Sequence, residues 1–235
     1  MKQSPFVEIA VLLTLGSCGL ETVPTLQAPN IDFLNQTLVT DTTLSLIHDS
    51  DRYSGTDFLG YEIFYKIYPL TGVTRDFARL VADRDSVNLS PTVSQLTNLG
   101  YSQMTSSLSN DLTKPSPLNP ILINPPAGAR LTLDFTPYTT VPFQPTDQPE
   151  LKINGIIVPN QPYLFRNALS AGQSWQSFLD LWTSSTNSTR QVDMSAVDIN
   201  NSYDINVFIV AYGPSATLQA IYSPPVPWGV IRKTQ

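Results

Sequence analysis

Apolar residues recur along this chain at two spacings, and the period-two stretches are the clearest. From Tyr61 to Tyr68 the positions alternate: Tyr61, Ile63, Tyr65 and Ile67 share one face, and Glu62, Phe64, Lys66 and Tyr68 the other. Tyr203 to Tyr212 alternates in the same way, with Tyr203, Ile205, Val207, Ile209 and Ala211 facing one side. Shorter strands are predicted at Leu44–His48, with Leu44, Leu46 and His48 aligned, and at Leu131-x-Leu133-x-Phe135. Leu151 to Val158 carries Asn154-Gly155 at its centre, a strong hairpin signal.

Helical spacing is rarer. Thr74 to Ala82 groups Phe77, Leu80 and Val81. Ser90-Pro91 predicts a helix start, with Ser as N-cap and Pro at the first position, leading to Val93, Leu96 and Leu99. Ser174 to Trp182 predicts a third helix carrying Trp175, Phe178, Leu179 and Trp182. Asn110 to Pro126 reads as loop. Twenty prolines forbid long helices elsewhere.

The strand pattern resembles a known family. Pro29-Asn30-Ile31, Leu44-x-Leu46 and Gly60-Tyr61-x-Ile63-x-Tyr65 look like strands A, B and C of a fibronectin type III domain. Tyr203-x-Ile205-x-Val207, Ala211-Tyr212-Gly213 and Ser223-Pro224 look like strands F and G. The resemblance implies a mainly β fold: a fibronectin type III/immunoglobulin-like β-sandwich over residues 29–235, with a large α+β insertion, about 69–202, between strands C and F. It implies that Tyr203 is the tyrosine-corner residue. His48 falls where that family usually has a tryptophan.

The N-terminus has its own pattern. Lys2, a short apolar run from Ile9 to Leu15, and small residues Gly16 and Ser17 precede Cys18. The run is too short to span a bilayer, so residues 1–17 read as a secretory signal. Leu15-Gly16-Ser17-Cys18 resembles the bacterial lipobox, and the relaxed signal, with Glu8 beside the apolar run, is similar to spirochaete-type lipoproteins. The resemblance implies cleavage before Cys18 and lipid attachment to its thiol. Cys18 is the only cysteine, so no disulfide competes for it. Residues 18–28 read as a lipidated cysteine and tether reaching at most about 35 Å. Because residue 19 is Gly rather than Asp, the outer membrane is favoured over the inner.

Composition narrows the chemistry. Charged residues make up only 14% against 41% hydrophobic, so the surface is built mostly from Ser, Thr, Asn, Gln and Tyr. The net charge is −6, and Arg75, Arg79 and Arg84 are interrupted by Asp76, Asp83 and Asp85. Nucleic acid is disfavoured as a partner.

Candidate sites are few. His48 is the one histidine, which leaves no material for a zinc site and a single possible base for any nucleophilic triad. Its position predicts a structural role. Asp49-x-Asp51, with Gly55 and Asp57, is the best calcium candidate. It departs from the EF-hand, with Tyr53 in the third ligand place and Gly60 in the twelfth; a solvated acidic turn is the plainer reading. Trp175, Phe178 and Trp182, with Tyr163, form either a binding platform for sugar or peptide, or core. Glu62 could pair with Lys66 on an outer strand face. No catalytic residue and no cofactor is expected.

The functional expectation is a lipoprotein of the cell envelope, a non-catalytic binding or structural module that meets its membrane through the lipid and an envelope protein or glycan through its folded part. Two alternatives stand beside it. One is an envelope enzyme acting on glycan or peptidoglycan through Asp residues. The other is a periplasmic assembly or flagellar accessory lipoprotein.

Overall fold

A computed structural model describes residues 25–31, 39–40, 42–69, 78–106, 125–136, 149–158, 164–167, 175–176, 178, 203–214 and 220–233. The fold is mainly β, with antiparallel sheets. In chain order the strands are β1 (Val39–Thr40), β2 (Thr43–Ile47), β3 (Gly60–Pro69), β4 (Ser102–Gln103), β5 (Thr105–Ser106), β6 (Arg130–Asp134) and β7 (Glu150–Ile153). There follow β8 (Ile156–Ile157), β9 (Leu164–Asn167), β10 (Trp175–Gln176), β11 (Tyr203–Pro214), β12 (Ala220–Tyr222) and β13 (Val226–Lys233).

The largest sheet runs β1-β13-β11-β3-β4, with β12 added to β11. Its spine is the β3–β11 pair, antiparallel from Tyr203↔Pro69 to Tyr212↔Gly60. These are the two best alternating stretches of the sequence, and they find each other across the chain. A second sheet runs β2-β6-β7-β8. A small third sheet runs β10-β9-β5. Pro29–Ile31, expected as the first strand, forms none; β1 lies beside β13 in parallel instead.

The first two sheets share one apolar core. Tyr61, Ile63, Tyr65 and Ile67 from β3 and Ile205, Val207, Ile209 and Ala211 from β11 meet Leu44, Leu46, Leu131, Leu133 and Leu151 from the second sheet. Each is essentially removed from solvent, which stabilises the fold by about 1.5–3 kcal/mol for each large aliphatic side chain. β6 lies inside the stretch 69–202, yet all five of its residues pair with β2. Part of that stretch therefore completes the second sheet.

The other face of β3 and β11 is covered as well. Helices Ala78–Leu89 and Val93–Asn98 lay Leu80, Val87 and Leu96 on Phe64, Phe208, Val210 and Val230. The first helix continues well past Ala82, because Val87 falls two turns after Leu80 on the same face. The second is capped by Thr92, not Ser90: the Thr92 hydroxyl accepts from the Gln95 N–H at 3.2 Å. Ser90 N–H closes the preceding helix on Val87 O at 3.0 Å, so Pro91 sits in the link between helices.

The expected helix at Ser174–Trp182 is not formed where the chain is described. Trp175 and Gln176 are strand residues paired with Asn167 and Arg166, and Phe178 is a turn residue. Apolar spacing alone does not separate a short buried strand and turn from a helix. The hairpin at Asn154-Gly155 forms as expected, with positive φ at both residues (53° and 80°), as a tight two-residue turn requires.

Candidate functional site

The acidic turn after β2 is the feature with the shape of a site. The β2–β6 ladder continues one residue past the strand: His48 N–H bonds to Ala129 O at 2.8 Å, and Gly128 N–H to His48 O at 3.1 Å. The chain then breaks into a short 3-10 turn at Asp51–Tyr53. Arg52 fixes this turn against the N-terminal segment by donating to Ala28 O at 2.9 Å, and its guanidinium stands 4.0 Å from Asp49. Between these elements lies an open cleft of about 540 Å³. Asp49, Ser50, Asp51 and Asn30 form its polar wall, with Ile47, His48 and Gly128 beside them.

Behind the cleft an aromatic stack holds the turn in place. His48 lies parallel to Tyr53 and Phe58, with ring centroids 5.7 and 5.3 Å away. Tyr53 and Phe58 stack at 4.2 Å, and Tyr61 meets all three rings edge-on. His48 Nδ1 and the Tyr61 hydroxyl share a hydrogen bond of 2.8 Å. Burial lowers the His48 pKa, while Asp49 opposes that shift. Burial raises the Tyr61 pKa, so its hydroxyl stays protonated well into the alkaline range. The position that resembles a strand-B tryptophan is thus filled by an imidazole inside an aromatic cluster.

The other sequence candidates fall in different places. Asp49 and Asp51 line the cleft; Asp57 is exposed outside it, and its carbonyl lies so close to Gly213 that a Cβ there would stand 2.1 Å away. Among the described residues no group of three or more His, Cys, Asp or Glu could hold a metal ion. Phe178 is fully buried, edge-on to Tyr65 and Phe135 at 5.1 and 5.4 Å. The side chains of Trp175 and Trp182, Tyr163, and Cys18 with its signal lie outside the described residues. Among the described residues no helix is long and apolar enough to cross a membrane.

One polar site escaped the sequence reading. Glu62, placed on an outer face, is fully buried. It accepts from Gln103 Nε2 at 2.5 Å, while Lys66 donates to Leu99 O and lies over the Tyr68 ring. Burial pushes the Glu62 carboxyl up to about 7, against the pull of the Tyr222 hydroxyl. Tyr222 itself is pushed up to about 12, by burial and by the Glu62 charge. The signal that could have found this site is Phe64 and Tyr68, which interleave with Glu62 and mark that face as covered.

No protein-family model, curated protein or solved structure matches this chain.

Proposed function

We propose that this chain is a lipid-anchored protein of the bacterial cell envelope whose folded part is a non-catalytic binding module. Its strand order supports an immunoglobulin- or fibronectin-type sandwich: β3, β11 and β13 adjoin as strands C, F and G do, and β2 pairs with β6 as B pairs with E. The observation that carries a binding role is the cleft. Its volume is that of a small-ligand site, and its carboxylates, amide and hydroxyl suit a polyhydroxyl ligand such as an envelope glycan. Exposed Ile47 at its edge offers an apolar contact for a sugar ring.

The anchor rests on Leu15-Gly16-Ser17-Cys18 and on the single cysteine. Two acyl chains on Cys18 are enough for stable attachment, since each buried CH₂ contributes about 0.8 kcal/mol. Cys18→Ala abolishes lipid labelling and releases the protein from membranes; continued labelling overturns the anchor. The cleft is tested by retention of the full chain on isolated peptidoglycan sacculi and envelope polysaccharide. Retention lost in Asp49→Asn/Asp51→Asn supports the cleft, and retention unchanged overturns it.

A second reading has an observation of its own: Asp49 and Asp51 line one cleft, as an enzyme acting through paired carboxylates requires. Release of soluble fragments from the same glycans, abolished by Asp51→Asn, would establish that enzyme and displace the binding module.

A further inference from the structure

Most of the exposed large apolar side chains among the described residues gather in one place. Leu89, 89% exposed at the end of the Ala78–Leu89 helix, stands apart from them. Ile47, Leu59, Ile156, Ile157 and Tyr222 are also exposed, with Ile156 at 72%, and strand pairing puts these five at one end of the two-sheet body. Ile47 closes β2 opposite Arg130, and the hairpin bearing Ile156 and Ile157 joins the same end through Ile153↔Leu131. Asn154 locks that hairpin onto Arg130 by accepting from its N–H at 2.9 Å and donating to its carbonyl at 2.8 Å. In the other sheet Leu59 precedes β3, and Tyr222 reaches the same end through Tyr212↔Gly60. The His48–Tyr61 hydrogen bond ties the two sheets together there.

The N-terminal segment enters at this end too. Leu26 is buried in the core, where its Cδ1 would lie 3.5 Å from a Cβ on Gly213, and Ala28 O is held by Arg52. Packing therefore begins before residue 29, inside the expected tether. From Cys18 to Leu26 the chain reaches at most about 27 Å. β3 runs ten residues away from this end, about 33 Å at ~3.3 Å per residue, so the far end lies beyond that reach.

We infer that this end of the body docks on the surface of the membrane in which Cys18 is anchored, with Ile156 and Ile157 at the lipid interface. The inference rests on the lipid-anchor reading of Cys18. A side-on posture is within reach of the tether, but five of the six exposed apolar positions lie at this end and select the end-on one. Clustered exposed apolar side chains mark an interaction surface, and an anchored lipid surface meets this one at high effective concentration. Local charge sets the lipid type. Asp49, Asp51 and Asp57 outnumber Arg52 and Arg130 at this end, which disfavours anionic headgroups and leaves a zwitterionic surface. The cleft opens at the same end, so its ligand is met beside the membrane.

The test uses the full lipidated chain in vesicles of phosphatidylcholine and phosphatidylethanolamine. Acylated Cys18 is blocked, so Ile156→Cys and Thr43→Cys each offer one free thiol for a fluorophore. Thr43 is exposed at the opposite end of β2 from Ile47. The label at 156 should be quenched several-fold more by a lipid-phase quencher, and several-fold less by an aqueous one, than the label at 43. Equal aqueous quenching at both positions, with the protein still vesicle-bound, overturns the docking while leaving the anchor standing. Acyl labelling of Cys18 is read in the same sample; protein that carries no acyl chain overturns both readings.

Discussion

The two faces of the β3–β11 pair are built on different principles. One carries Tyr61, Ile63, Tyr65 and Ile67 against Ile205, Val207 and Ile209, and it packs onto the second sheet with few polar atoms. The other carries Phe64, Phe208 and Val210 but also Glu62 and Asn206, all of them buried beneath helices and short strands. There Asp83 accepts from the Tyr68 and Tyr101 hydroxyls at 2.7 and 2.6 Å. Glu62 Oε1 and Asn206 Nδ2 find no hydrogen-bond partner among the described residues. The first face holds mainly by apolar area, whose contribution does not depend on pH; the His48–Tyr61 hydrogen bond at its edge is the exception. The second depends on polar pairings, where each lost partner leaves a desolvated group behind.

The sharpest way to break this contrast is truncation on the apolar face. Ile63→Ala should cost about 2–5 kcal/mol, through lost transfer energy and the cavity left among the packed sheets. The loss, read from urea midpoints, should be the same at pH 5 and pH 8. A pH-dependent loss would mean that the two faces are not energetically separate.

The polar face should show the opposite behaviour through Glu62. Its folded pKa of about 7 lies above the ordinary 4.5, so the folded state binds the proton more tightly. The stability this confers is fully present below pH 4.5 and is lost as pH rises through 7, by up to about 3 kcal/mol. Glu62→Gln should flatten that window and make the protein more stable than the parent at pH 8. Unchanged urea midpoints across pH 4.5 to 7 in the parent would show that Glu62 is solvated in the folded state.

One face is legible in the sequence and the other is not, for a physical reason. Uninterrupted apolar alternation at Tyr61–Ile67 and Tyr203–Ala211 states which side is buried. Glu62, Lys66 and Asn206 on the opposite side look like a wet surface, because their cover comes from residues 78–104, far along the chain. The Asn154-Gly155 turn was legible because its backbone geometry is local. The Trp175–Gln176 strand was not, because a two-residue strand is defined by its neighbour at Arg166–Asn167 rather than by its own period. Asp49 and Asp51 were legible as an acidic turn. The cleft they line was not, because Gly128 and Asn30 reach it from distant segments.

Smaller effects test how the helical layer is attached. Asp83→Ala leaves the Tyr68 and Tyr101 hydroxyls, both buried, without their shared acceptor. That should cost about 2–3 kcal/mol, by the desolvation of two stranded donors. Hydrogen exchange should show the loss concentrated in the Ala78–Leu89 helix. Loss spread evenly into β2 and β6 would mean that the two layers open only together.

The smallest effect separates two neighbouring hydroxyls. Thr92 has extended backbone angles and satisfies the Gln95 N–H, so Thr92→Ala should cost about 1 kcal/mol. Ser90 contributes its backbone to the end of the preceding helix, and its exposed side chain does not cap the Val93–Asn98 helix. Ser90→Ala should therefore be nearly neutral. Urea midpoints of the two single variants measure the difference. A larger loss for Ser90→Ala would move the cap back to the position its Ser-Pro pair suggests, and would lengthen the second helix at the expense of the link.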